Sequence, residues 1–144
     1  SMTQLIFHLI GDYLLQSHWM AVQKTKSTWA AFCHATTYSL LFLFIASWPA
    51  WFVIWGTHLL IDRFRLARYV VYAKNFLAPI TTEVTPQATG PGKTRQWLDW
   101  WHPWEECQPT GYHESVPAWL AGFLCIAADN TLHLAINAAA IYYL

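Results

Sequence analysis

Long apolar stretches alternate with short polar ones along this chain, and the longest apolar stretch runs from Ser27 to Ile61 without an Asp, Glu, Lys or Arg. A helix needs about 20 predominantly apolar residues to cross a bilayer, so this stretch is long enough for most of two spans. Pro49, in "SWPAW", predicts the break between them, because proline cannot continue a helix interior. We therefore expect helices at about 28–48 and 50–72.

Two further apolar segments lie at the ends of the chain. Residues 2–22 contain one charged side chain, Asp12, and the segment 116–143 contains one, Asp129. The pattern predicts an all-α membrane protein with a single domain, residues 1–144, built as a bundle of four transmembrane helices. The helices are expected at about 2–22, 28–48, 50–72 and 116–143, with a loop at 75–115 between the third and the fourth.

The composition agrees with a membrane protein. Charged residues make up 11% of the chain, whereas soluble domains carry about 25%. The formal net charge is zero, which gives no reason to expect a nucleic-acid partner. The three cysteines are odd in number and lack CxxC spacing, which argues against a disulfide framework or a zinc ribbon.

All the basic residues lie on one side of the predicted bundle. The first connection holds Lys24 and Lys26, and the end of the third predicted helix and the loop that follows hold Arg63, Arg65, Arg68, Lys74, Lys93 and Arg95. Cytoplasmic loops carry such an excess of Lys and Arg. We therefore expect a multi-pass membrane protein with both termini outside and the 75–115 loop in the cytoplasm.

That cytoplasmic loop packs four tryptophans into residues 97–104, "WLDWWHPW". Tryptophan rings are common at headgroup depth, so the segment is interpreted as an interfacial anchor. A tryptophan-lined substrate groove is the alternative.

Ionisable side chains recur at helical spacing inside the apolar segments. Three segments carry one histidine and one aspartate four residues apart, which places each pair on one helix face, and the second segment adds a histidine. Each such group costs roughly 2.5–3.5 kcal/mol inside a bilayer, so a shared purpose is expected. The residues are His8, Asp12, His34, His58, Asp62, Asp129 and His133.

Imidazole and carboxylate ligands suit Zn, Mn, Fe or Mg. Seven ligands exceed the needs of one tetrahedral ion and suit two divalent ions about 3.5–4 Å apart, the arrangement used to hydrolyse phosphoesters and amides. Two alternatives remain open. The pairs could be structural hydrogen bonds between helices, or they could form an ion or proton pathway.

These observations predict a membrane-embedded, metal-dependent hydrolase that acts on a phosphoester of a lipid or lipid-linked substrate. The metal centre is expected near the cytoplasmic face, with a carboxylate among Asp12, Asp62 and Asp129 taking the proton from water. Basic residues at its mouth are candidates to hold phosphate, although membrane topology alone also explains them. The substrate-binding candidates are Lys24, Arg63, Arg65 and Gln16, the last one turn after Asp12.

Four segments, "FHLIGDYLLQSHWMAVQKTK", "CHATTYSL", "THLLIDRFRLARYVVYAKN" and "ADNTLHLAIN", resemble a family of small phage and bacterial membrane proteins catalogued as domain of unknown function 3307. The histidine and aspartate pattern is also similar to that of membrane-bound, metal-dependent hydrolases of bacterial inner membranes. This resemblance implies that the same seven residues are metal ligands. It also admits a phage-encoded protein that interacts with membranes and needs no metal.

Overall fold

The structure is a computed structural model, and it describes residues 2–76, 80–81, 98–99 and 104–144. The regular structure of the described residues is helical, apart from one pair of two-residue antiparallel strands, in which Ile80 lies opposite Asp99, and an isolated bridge between Cys107 and His113. Most of the tryptophan-rich segment 97–104 lies outside the described residues. The elements are α1 (Met2–Leu9), α2 (His18–Gln23), α3 (Thr28–Leu40), α4 (Trp48–Phe64), α5 (Ala67–Phe76), β1 (Ile80–Thr81), β2 (Leu98–Asp99) and α6 (Ala118–Tyr143).

The chain divides into two compact units. One, here called the helical unit, combines Ser1–Ala67 with Ile126–Leu144, and the other is Arg68–Cys125. All seven predicted ligands belong to the helical unit. The single-domain organisation stays a prediction.

The first predicted helix, 2–22, is interrupted. α1 continues as one π-helical segment, Ile10–Leu14, and α2 begins only after Ser17. The Ser17 hydroxyl accepts a hydrogen bond from Met20 N–H at 3.3 Å, which satisfies a backbone donor in the first turn of α2. A serine inside an apolar run therefore starts a new helix here, which the hydrophobic pattern alone did not indicate.

The predicted break at Pro49 is confirmed. α3 ends in a 3-10 turn, Leu41–Phe44, and α4 begins after Ser47, with Pro49 in its first turn. Two indole N–H groups then tie the pair together: Trp51 donates to Ser39 O at 2.8 Å and Trp55 donates to Thr36 Oγ1 at 3.1 Å.

The third predicted helix, 50–72, is two helices in the structure, so the prediction of one continuous helix is wrong. α4 ends at Phe64 because Arg65 adopts the left-handed conformation, with φ 52°. Leu66 N–H then donates to Ile61 O at 3.0 Å, which closes the helix end in the way a glycine usually does. α5 starts separately at Ala67, and the absence of glycine at this end hid the boundary from sequence reasoning.

The helical unit buries polar side chains and exposes apolar ones. Among the described residues, its buried apolar cluster consists of Tyr38, Phe42, Ala50, Ile54 and Ala140, with partly buried apolar side chains packed against it. Of the described helices, only α6, with 26 residues, is long and apolar enough by itself to cross a membrane. The interruptions at Ser17 and Arg65 are what shorten the first and third predicted spans.

Candidate metal centre

Four helical segments bring the ionisable residues together. The π-helical segment after α1 approaches α3 closely at Gly11, where a Cβ atom would lie 2.5 Å from Tyr38 Cδ2. Only glycine permits this approach, and it carries the next residue, Asp12, to the histidines of α3 and α4. α6 supplies the remaining histidine, His133.

The first ligand group consists of Asp12, His34 and His58. Asp12 Oδ1 lies 3.2 Å from His34 Nε2 and 3.5 Å from His58 Nε2. The two Nε2 atoms are 3.0 Å apart. One oxygen and two nitrogens therefore form a closed triangle.

The second group consists of His58, Asp62 and His133. Asp62 Oδ2 lies 3.2 Å from His58 Nε2, and Asp62 Oδ1 lies 3.6 Å from His133 Nε2. Asp62 Oδ2 also lies 3.2 Å from His34 Nε2. The two oxygens of one carboxylate thus face different histidines, and His58 is common to both groups.

These distances fit metal ligands better than hydrogen bonds. Charge-assisted hydrogen bonds span about 2.7–2.9 Å, whereas nitrogen and oxygen atoms bound to one tetrahedral ion lie about 3.3 Å apart. Asp12 Oδ1 and His133 Nε2 are buried and have no hydrogen-bond partner among the described residues. The two groups can therefore hold a metal ion each or one between them, and the donor set of imidazole and carboxylate is the one that divalent metals take.

The cluster is shielded from solvent. The four histidines His8, His34, His58 and His133 are at most 2% exposed, and Asp62 is 4% exposed. Buried charges and imidazoles need partners of opposite charge or a bound ion. Asp129 lies at the rim: its Oδ2 is 3.5 Å from His133 Nε2, and its side chain is 27% exposed.

His8 differs from the other predicted ligands. It belongs to neither ligand group. Its Nδ1 lies 2.9 Å from the Tyr38 hydroxyl and 3.3 Å from Asp12 Oδ2. The structure thus brings His8 to the cluster, but its Nδ1 atom is hydrogen-bonded to the Tyr38 hydroxyl.

Two of the predicted substrate-binding residues lie together at the centre. Lys24 Nζ is 2.9 Å from Asp62 Oδ2 and 3.4 Å from His34 Nε2, and it donates to Gln16 Oε1 at 3.0 Å. The Lys24 side chain is 18% exposed, so a positive charge reaches from the solvent side to the carboxylate.

The two arginines are placed differently. Arg63 donates from Nη1 to Thr25 O at 2.9 Å and from Nε to Thr28 Oγ1 at 3.2 Å, which ties the end of α4 to the start of α3. Arg65 is exposed at the helix end. Within the part of the chain that the structure describes, neither arginine contacts the cluster, and their substrate role stays a prediction.

Sequence reasoning missed three buried polar residues beside the cluster. Asn137 Nδ2 donates to the Tyr38 hydroxyl at 2.6 Å, and Gln4 Nε2 donates to Leu134 O at 2.7 Å. Their signal was present, because Gln4 precedes His8 by four residues, Tyr38 follows His34 by four, and Asn137 follows His133 by four. The spacing that marked the ligand pairs continues for one more turn.

The family model described as protein of unknown function (DUF3307) matches residues 1–81. The chain belongs to this family. The part matched by the DUF3307 model contains His8, Asp12, His34, His58 and Asp62, and α6 with His133 follows it. No curated protein and no solved structure matches the chain.

Proposed function

We propose that this protein is a membrane-embedded, metal-dependent hydrolase that cleaves a phosphoester of a lipid or lipid-linked substrate. The observation that carries the proposal is the pair of buried ligand groups, which share His58 and are spanned by the Asp62 carboxylate. Carboxylates of this kind hold two ions about 3.5–4 Å apart in enzymes that hydrolyse phosphoesters.

The distribution of polarity supports a bundle of four transmembrane helices. Polar and ionisable side chains point inward, while large apolar side chains such as Phe44, 82% exposed, and Trp29, 66% exposed, point outward. A water-soluble protein rarely exposes so much apolar surface. α4 has 17 residues, which spans about 25 Å and reaches the lower limit for crossing the hydrocarbon core.

The broken first span is compatible with this placement. Irregular backbone is tolerated at membrane depth where it lines a polar interior. The break at Ser17 lies between Gln16 and the helix that leads to Lys24, and both of these side chains reach the cluster. With the basic residues facing the cytoplasm, the protein would cross the bacterial inner membrane with both termini outside.

The donor atoms suggest an assignment for two ions. His34, His58 and Asp12 Oδ1 would hold one, and His133 with Asp62 Oδ1 would hold the other. This set of nitrogen and oxygen donors suits Zn, Mn or Fe, and its carboxylates also admit Mg.

Each nearby side chain has a role in hydrolysis. Divalent ions held by these residues would supply Lewis-acid chemistry toward water and the phosphoryl group. The Lys24 ammonium, oriented by Gln16, would hold a phosphate oxygen at the mouth of the centre. Asp129 belongs to neither ligand group and is partly exposed, so it is the carboxylate best placed to accept the proton of water.

A lipid substrate fits the surroundings of the centre. The helices that carry the ligands present apolar side chains outward, so an acyl or prenyl chain would pack against the same surface that faces the bilayer. A phosphate headgroup could then reach Lys24 from the cytoplasmic interface. Soluble nucleotides would lack this approach.

An ion or proton conductor is the main alternative function. A conductor needs polar groups along the whole span. Here Phe42, Ile54 and Ala140 pack behind Tyr38 and close the polar cluster on one side with apolar side chains. This packing favours a closed catalytic pocket over a continuous pathway.

The test is metal-dependent phosphate release from vesicles. Purified protein in nanodiscs would be given phosphatidate or a polyprenyl phosphate, with Mn²⁺, Zn²⁺ or Mg²⁺ added after chelation. We expect release of inorganic phosphate with one of these metals and loss of release in Asp129→Asn, with Ser39→Ala, a buried hydroxyl turned toward Thr36 O, as the matched control. Absence of release for every metal and lipid phosphate, together with absence of metal binding, would contradict the proposal.

A further inference from the structure

Tyr38 lies at the middle of the cluster and is fully buried. Its hydroxyl contacts two side chains, Asn137 at 2.6 Å and His8 at 2.9 Å. Its ring stacks on the imidazole of His58, with centroids 3.8 Å apart and planes inclined by 17°. Gly11 lies against the ring edge at Cδ2, so the ring has little freedom to move.

The hydrogen-bond directions follow from this arrangement. The Asn137 amide donates to the phenol oxygen, so the phenol proton needs a different acceptor. His8 Nδ1 is the polar atom placed to accept it, and a buried hydroxyl keeps such a bond. The Nδ1 lone pair is then occupied, and the neutral ring carries its proton on Nε2. The 3.3 Å contact to Asp12 Oδ2 is longer than a charge-assisted hydrogen bond, which agrees with an unprotonated Nδ1.

The stacking on His58 matters because His58 belongs to both ligand groups. Its Nε2 atom lies near the carboxylate of Asp12 in the first group and that of Asp62 in the second. A histidine that binds a metal is usually oriented by a hydrogen bond from its other ring nitrogen. His58 Nδ1 is buried and has no hydrogen-bond partner in the described residues. The rings of Tyr38, at 3.8 Å, and His133, at 4.1 Å between centroids, therefore hold the plane of His58, and Tyr38 lies the more nearly parallel to it.

We propose that Tyr38, anchored by Asn137, is a positioning residue of the metal centre that fixes the plane of His58 by stacking and holds His8 outside the ligand set by occupying its Nδ1. The inference rests on the proposed metal centre for its functional meaning. It reassigns His8 from a ligand to a neighbour of the ligands.

The first arm of the test needs no metal. In metal-free protein labelled with ¹⁵N-histidine, the His8 resonances are assigned by their loss in His8→Gln, and the tautomer is read from the ¹⁵N shifts. We expect the Nε2-protonated tautomer in the wild type, loss of this preference in Tyr38→Phe, and no change in Ser39→Ala. A wild-type His8 protonated at Nδ1 would overturn the inference.

The second arm uses Co²⁺ as the probe. His8→Gln is expected to keep the wild-type number of bound Co²⁺ ions and the wild-type visible spectrum. Tyr38→Phe keeps the ring and should stay within a few-fold of wild-type affinity, whereas Tyr38→Leu should lose about 10–100-fold, the usual cost of removing an orienting neighbour.

The outcomes separate the two claims. A lost ion or an altered spectrum in His8→Gln would make His8 a ligand and overturn the inference. Equal Co²⁺ affinities of Tyr38→Leu and the wild type would show that the stacking of Tyr38 on His58 does not contribute to metal binding. If wild-type protein binds no Co²⁺, the proposed function fails, while the tautomer measurement still decides the contact between Tyr38 and His8. Circular dichroism of each variant shows whether the helices remain folded.

Discussion

The two ends of the helical unit use the same helices in opposite ways. At one end α3 and α4 contribute His34, His58 and Asp62, and Lys24 reaches in from the side. At the other end the same helices contribute Phe42, Ala50 and Ile54, which pack with Ala140 of α6 and carry no polar group beyond the backbone. Tyr38 stands at the boundary and belongs to both.

This difference teaches that apolar packing and ionisable side chains are separated along the helix axes. The apolar end can hold the helices together by packing alone. The polar end gathers buried ionisable groups whose cost must be offset by one another or by a bound cation. A structural cluster that only tied helices together would be expected at both ends.

The largest expected effect comes from the polar end. Asp62→Ala removes the carboxylate that faces His34, His58 and His133. We expect loss of bound metal, measured by elemental analysis of the detergent-purified protein, with the helical content unchanged. Asp62→Asn, which keeps the shape of the side chain, should also lose the metal.

The apolar end should show the reverse behaviour. Ile54 is fully buried, and Ile54→Ala leaves a cavity that is expected to cost about 2–5 kcal/mol of the free energy of unfolding. The metal content should stay at the wild-type value. A chemical denaturation curve measures the first quantity, and loss of metal in this variant would show that the two ends are not independent.

A smaller effect is expected where the two ends meet. Gly11→Ala places a methyl group against Tyr38 Cδ2, and such overpacking typically costs about 1–3 kcal/mol. Because the Tyr38 ring stacks on His58, displacing the ring should lower metal affinity as well. Gly56→Ala is the matched control, since no atom lies within 4 Å of a Cβ there. Equal metal affinity in Gly11→Ala and Gly56→Ala would argue against a role of the Tyr38 ring in metal binding.

The smallest effect is expected at Arg63. Its hydrogen bonds to Thr25 O and Thr28 Oγ1 are exposed or partly buried, so Arg63→Gln should cost about 0.5–1.5 kcal/mol. Neither metal content nor metal affinity should change. A strong loss of activity without loss of stability would support the predicted role of Arg63 in binding substrate.

The sequence predicted the helical class and the break at Pro49 from simple rules, because apolar runs and proline act locally. It also placed His58 and Asp62 on one face of a helix, since four-residue spacing keeps side chains on one helix face. The ends at Ser17 and Arg65 could not be predicted in this way. Ser17 stops a helix through one side-chain hydrogen bond, and Arg65 takes a backbone conformation that no residue type in the stretch announces.

The composition of the site was predicted better than its internal order. The sequence treated seven residues alike, but the structure separates His8, engaged by Tyr38, from the two ligand groups and puts Asp129 at the rim. Of the four predicted substrate-binding residues, it brings Lys24 and Gln16 to the cluster and neither of the arginines. These distinctions depend on interatomic distances between helices, which periodicity along one helix does not contain.

The most direct test of the central claim is the metal content of the protein itself. Protein purified in detergent would be measured by elemental analysis, as isolated and after incubation with Mg²⁺ or Mn²⁺ followed by desalting. The account predicts a stoichiometric divalent metal in the wild type and in Ile54→Ala, and none in Asp62→Ala. An equal metal content in wild type and Asp62→Ala, or none in either under every condition, would contradict it.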